Sequence, residues 1–167
     1  MKKYIGILFT FMLLYTFSIT SFAETRQINI DGETVTIETI GDVELIDPVY
    51  IPETRSDVTD FKFNIDDSVD TEPVTNTHAK WQVQTQALLR NFLTGDTKTD
   101  SNFKYTVSVM RGYKALASYT GKADNKLGGL AFSKMPINAE LYIRVKVESR
   151  HDPDYFLNGH GETQFLD

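Results

Sequence analysis

The sequence predicts an all-β protein, an antiparallel two-sheet β-sandwich, and three observations lead there. Short segments of strict apolar/polar alternation recur along most of the chain, the mark of strands with one face on a core and one in water. Gly, Asn, Asp and Pro turn residues separate these segments at near-regular spacing. The 167-residue chain contains no cysteine, so its stability has to come from burial in a core rather than from disulfides.

The elements follow in chain order. Ile28 and Ile30 alternate with Gln27 and Asn29, Asp31-Gly32 is a turn signal, and Thr34 to Glu38 alternates again. That is a hairpin, with Val43 to Ile46 as one more short strand. Asp47-Pro48 and Ile51-Pro52 break regularity, and Pro52 to Asp60 is polar and reads as a long loop. From Phe61 onward the pattern is β almost throughout. Phe61, Phe63 and Ile65 share a face, as do Trp81, Val83, Thr85 and Ala87 in the next long segment. Phe103, Tyr105, Val107 and Val109 do the same further on. Lys114 to Tyr119 is a shorter strand, and Leu127 to Phe132 carries Gly128-Gly129, a bulge or kink signal. Leu141, Ile143, Val145 and Val147 form the clearest inner face, opposite Arg144, Lys146 and Glu148. Tyr155 to Leu157 and Thr163 to Leu166 close the series. One segment is ambiguous: Leu88, Leu89, Phe92 and Leu93 also recur at helical spacing. Strand is the reading kept for 80–90.

Roughly seven to nine short strands joined by such turns fit an immunoglobulin/fibronectin-like sandwich or a jelly roll. The stretch with Leu130, Phe132, Met135-Pro136 and Tyr142 resembles a fibronectin-type sandwich in architecture, where a strand, an apolar-Pro turn and a Tyr-led strand follow one another. Tyr142 departs from that pattern, because it alternates in phase with Arg144 and Lys146 while Leu141 takes the inward place. The domain reading is a signal peptide over 1–23, an acidic N-terminal hairpin or extension with its loop over 24–60, and the sandwich domain over 61–167. Whether 24–47 supplies the first strands of the sandwich or a separate extension stays open at this level.

The N-terminus carries the address. Lys2-Lys3 precede an apolar run from Ile5 to Ile19, and Ser21-Phe22-Ala23 offers small residues at −3 and −1 of a cut before Glu24. That order is a secretory signal peptide, and the run is shorter than the roughly twenty residues a span needs. Without cysteine a lipid-modified cysteine after the cut is excluded, and the C-terminal residues carry no hydrophobic tail. The expected product is a secreted, extracellular, bacterial protein with no membrane anchor after cleavage. Removing the two lysines leaves 15 basic against 23 acidic residues, a net charge of −8. Such a balance speaks against nucleic acid, whose phosphates need clustered Lys and Arg.

Candidate chemistry is sparse. His78, His151 and His160 lack any metal-ligand spacing and read as turn or rim residues. No nucleophile elbow or phosphate-cradling glycine loop is present. Hard cations take oxygen ligands from acidic loops, so the calcium candidates are Asp66, Asp67 and Asp70 in one cluster and Asp152, Asp154, Asn158 and Glu162 in the other. No cofactor is expected, unless calcium occupies one of these clusters. Asp66, Asp67, Asp152 and Asp154 would also be the carboxylates of a small hydrolase. Among the aromatics, Trp81 and Tyr105 lie on inner faces, whereas Tyr113 and Tyr142 are the expected exposed rings for stacking on a ligand. The leading expectation is a non-enzymatic, monomeric binding module for a cell-wall glycan or a protein partner. A secreted carboxylate-dependent hydrolase and a released toxin or antimicrobial factor are the alternatives.

Overall fold

A computed structural model describes residues 24–46, 55–56, 60–148 and 152–166. The expected signal peptide and most of the 47–59 loop lie outside them, as does His151. Fourteen strands and no helix occur among the described residues: β1 Thr25–Ile30, β2 Glu33–Ile40, β3 Glu44–Ile46, β4 Arg55–Ser56, β5 Asp60–Ile65, β6 Ser68–Thr71 and β7 Val74–Thr75, then β8 Lys80–Asn91, β9 Thr97–Lys98, β10 Asp100–Arg111, β11 Lys114–Ala123, β12 Gly128–Ser133, β13 Glu140–Val147 and β14 Tyr155–Leu166.

They form two sheets packed face to face. The first runs β1-β2-β12-β8-β14-β5, with β9 on the far end of β8; the second runs β3-β11-β10-β13-β6-β4, with β7 on β13. Every pairing is antiparallel except β4 with β6. The alternating residues become the inner faces. Phe61 and Phe63 of β5 and Trp81, Val83, Ala87 and Leu89 of β8 face Phe103, Tyr105, Val107 and Val109 of β10 and Leu141, Ile143, Val145 and Val147 of β13, all buried in one core. The helical alternative for 84–93 fails because β8 is paired along its whole length by β14, from Lys80↔Leu166 to Asn91↔Tyr155.

The opening hairpin belongs to the sandwich. Asp31 and Gly32 both take positive φ, 53° and 88°, which suits the tight turns that join twisted strands. β2 then pairs with β12 from Thr36↔Ser133 to Ile40↔Gly129, and Ile30, Val35 and Ile37 enter the core. Glu24 ties the start of β1 down: its N–H donates to the Thr39 hydroxyl at 2.8 Å and its carboxylate accepts from the Leu45 N–H at 3.1 Å.

Gly128-Gly129 makes no bulge, since the β12–β8 register is unbroken. Glycine is required there for close approach: a Cβ on Gly129 would stand 2.1 Å from the Val83 carbonyl oxygen.

Two features of the interior depart from simple alternation. In the core, the Thr85 hydroxyl bonds the hydroxyls of Tyr105 at 3.1 Å and Tyr119 at 2.6 Å, and Tyr119 donates to the Gly128 carbonyl at 3.1 Å. On the outer face of the second sheet, Ser118, Ser108, Arg144 and Asp70 are direct cross-strand neighbours in one transverse row. All four are buried. The Ser118 hydroxyl donates to Ser108 at 2.7 Å, and the Arg144 guanidinium grips Asp70 through Nε at 2.6 Å and Nη2 at 2.5 Å. Arg144 was expected in water; it is 1 % exposed. A charge at that depth is tolerated because a carboxylate on the next strand meets both guanidinium edges.

Candidate functional site

The residues that stand out lie at one end of the sandwich, where three connections meet. The first is the β8–β9 tip. Asn91 organises it through its side chain, whose Oδ1 accepts the N–H groups of Leu93 and Thr94, both at 2.9 Å. The Asn91 carbonyl takes the Gly95 N–H at 3.1 Å, with Gly95 in the left-handed region at φ 77°. Thr94 closes on Asp96 at 2.7 Å. This self-bonded turn leaves the two side chains between its anchors pointing outward: Phe92 is 77 % exposed and Leu93 85 %. Their exposure follows from a rigid turn rather than a loose one.

The second connection is the Asp66-Asp67 turn between β5 and β6. The third is the turn leading into β14, where Asp152 Oδ1 accepts the Asp154 N–H at 3.1 Å. The Phe92 N–H donates to the Asp154 carbonyl at 2.8 Å, which locks the β8–β9 tip onto this turn. Between them lies a cavity of about 240 Å³ lined by Asn64, Ile65, Asp66, Phe92, Pro153, Tyr155 and Phe156. The Phe92 and Phe156 rings meet edge to face, with centroids 6.3 Å apart and planes at 85°. Lys98 of β9 lies outside this lining. Its ammonium sits 3.6 Å from the Tyr155 ring centre and 3.1 Å from Asp152 Oδ2. The Asp154 N–H first, and the Lys98 ammonium second, hold the Asp152 carboxyl below its usual range. A larger depression of about 780 Å³ opens near the other end, against Glu33, Ala79, Lys134 and Ile137, but no aromatic ring lines it.

The expected site residues separate in space. Asp66 lines the cavity, and Asp152 and Asp154 flank it, so the two acidic clusters do reach the same end of the molecule. Asp67 is exposed in its turn, and its carbonyl accepts the Val147 N–H at 2.7 Å. Asn158 lies inside β14 and donates to the Asn64 side chain, while Glu162, further along the strand, accepts from Gln164 at 3.0 Å. Asp70 requires a correction: it is the buried partner of Arg144, not a loop carboxylate open to a cation. Among the described residues no three His, Cys, Asp or Glu side chains converge as metal ligands. For a hydrolase, Asp152 is poorly suited to act as general acid, because its contacts favour the ionised form.

The two stacking candidates also part. Tyr113 is 60 % exposed, in the β10–β11 turn at the end of the sandwich opposite the cavity. Tyr142 corrects the expectation of an exposed ring: it is 3 % exposed, packed with Met110 and Ala115, and donates its hydroxyl to the Gly112 carbonyl at 2.7 Å. Its outward phase was read correctly, but that part of the outer face is not in water.

Phe92 is the residue that sequence reasoning passed over. It was counted within a helical periodicity, yet Asn91 and Gly95 on either side of Phe92-Leu93 are turn residues, and two apolar residues inside a turn are the signal of a displayed tip. No family model matches the chain, and neither a curated protein nor a solved structure matches it.

Proposed function

We propose that this protein is an exported bacterial binding module without catalytic activity, and that it engages its ligand at the β8–β9 end of the sandwich. One observation carries the reading: a rigidly held, exposed Phe92 stands beside a cavity walled by Tyr155, Phe156 and Pro153. Buried aromatic anchors surrounded by a polar rim dominate binding energy at protein surfaces, and a preformed tip avoids the ordering cost that a mobile loop has to meet. Export is supported by the Lys2-Lys3 start, the apolar run and the Ser21-Phe22-Ala23 sequence before Glu24. The ligand classes open to such a module are a wall glycan and a protein at the cell surface.

The test is retention of purified protein on insoluble wall material and on immobilised surface proteins of the producing cell. Phe92→Ala is expected to weaken retention roughly tenfold, whereas Tyr113→Ala, at the opposite end, leaves it unchanged. Because Phe92 is exposed, the variant retains the wild-type melting temperature. Equal retention of Phe92→Ala and wild type would place the ligand elsewhere, and no retention on any material would refute the module.

A further inference from the structure

We infer that the outer face of the second sheet is the docking site of the chain's own residues 47–54, which cross it from one edge to the other. This surface is distinct from the β8–β9 end, and its occupant does not depend on the binding-module reading.

The face is buried with no described strand over it. Met110, Ala115 and Tyr142 form an apolar cluster apart from the main core. They continue the outer side on which Ser108, Ser118, Arg144 and Asp70 lie, and Thr106, two residues before Ser108, shares that side. None of these eight residues exceeds 5 % exposure. The outer face of a sandwich ordinarily turns its side chains to water. Among the described residues, the strands that pack most against the second sheet from outside it are β5, β8 and β12 of the first sheet, which lies on the core side. The outer side therefore needs a cover of its own.

Topology supplies the occupant. One transverse row of cross-strand neighbours runs Ile46, Ser118, Ser108, Arg144, Asp70, Arg55. Its ends are the last residue of β3 and the first of β4, so the chain that leaves one end of the row has to arrive at the other. From β3 to β4 there are five inter-strand steps, and at about 4.8 Å each the crossing is about 24 Å. Nine residue steps join Ile46 to Arg55, and fully extended they reach about 30–32 Å. The core side is filled by the first sheet. A route that skirts the sheet would have to pass Arg111, three residues beyond Ser108, or Val147, three residues beyond Arg144. Either adds about 10 Å each way and exceeds the reach. The chain is long enough for the direct path over the outer face and too short for the others.

The residues of the segment suit this seat. Pro48 and Pro52 favour extended backbone around them and offer no N–H to a ladder. Apolar Val49, Tyr50 and Ile51 fall midway along the span, above Ser108 and Arg144 and beside the Met110–Tyr142 cluster. Serines at 108 and 118 leave room for a backbone to pass close above the sheet. The same crossing keeps water from Arg144 and Asp70, which accounts for a charge pair buried on the outer side of a sheet.

The test uses purified protein beginning at Glu24, which removes residues 1–23 as an alternative occupant. That chain has two methionines, Met110 on this face and Met135 in the core, and peroxide oxidation read by mass spectrometry reports on each. Both are expected to react slowly. In the triple variant Val49→Gly/Tyr50→Gly/Ile51→Gly, Met110 is expected to oxidise at least about tenfold faster, while Met135 stays protected and shows the sandwich intact. In the unsubstituted protein, nuclear Overhauser contacts are expected between the Val49 or Ile51 methyls and the Met110 methyl or Tyr142 ring. In a mixture of labelled and unlabelled chains these contacts stay within one molecule. Met110 reacting as fast as free methionine in the unsubstituted protein would overturn the inference, as would equal protection of Met110 in the variant. Contacts found only between molecules would assign the face to a second copy instead. If the variant loses protection at Met135 as well, the Overhauser contacts decide alone, and their absence overturns the inference.

Discussion

Replacing Asp70 with alanine is expected to destabilise the protein by about 3–5 kcal/mol, measured by chemical denaturation with the single tryptophan as reporter. Both guanidinium contacts of Arg144 to this carboxylate are short, at 2.6 and 2.5 Å, and both residues are buried. Taking the carboxylate away removes the counter-charge that meets two of the guanidinium nitrogens, at a depth where water does not replace it. Arg144→Lys does not substitute, because an ammonium lacks the planar fork that meets both oxygens. The pair itself contributes less than the single variants lose. Asp70→Leu combined with Arg144→Met is expected to recover most of the loss, since a well-packed apolar pair removes both desolvation costs together. A loss in Asp70→Ala below about 1 kcal/mol would mean that the pair behaves as a solvated one.

Alkaline pH is expected to cost about 3 kcal/mol through Tyr105 alone. Burial pushes its phenol up to about 12 from the usual 10.0, against the opposing pull of the Thr85 hydrogen bond and with a smaller upward push from Asp124. Burial raises Tyr119 well above its usual value too, aided by Tyr105 beside it. The folded protein therefore holds these protons where the unfolded chain releases them. The stabilisation is complete below pH 10 and is lost as pH rises through 12. Tyrosinate absorbance followed in parallel with denaturation is expected to show delayed ionisation of the buried phenols. Tyr105→Phe is expected to flatten the decline between pH 10 and 12. A decline of the same steepness in that variant would contradict the assignment.

The sandwich was legible in the chain because its core strands alternate. For β8, β10 and β13 the inner faces could be written down residue by residue, from Trp81 to Ala87, Phe103 to Val109 and Leu141 to Val147. Alternation says only which side a residue takes, however, and the outer side was assumed to be water. Arg144 and Asp70 lie 74 positions apart, and no local pattern links them, so their burial on the outer side had no signature. Tyr142 was misplaced for the same reason. The hairpin over 24–40 was visible as a hairpin, but its attachment to β12 depends on a pairing nearly a hundred residues away. The candidate site was hidden differently. Asp66, Phe92 and Pro153 come from three turns distant in sequence, and only the antiparallel pairing of β14 with both β5 and β8 brings those turns together.

The most direct measurement is hydrogen exchange on the protein bound to the wall or surface material that retains it. If ligand is taken at the β8–β9 end, protection gained on binding is confined to the amides of residues 64–67, 91–96 and 153–156, and is absent in Phe92→Ala. Protection centred instead on the Tyr113 turn, or on the depression beside Ile137, would place the binding surface at the opposite end of the sandwich and contradict the site proposed for this protein.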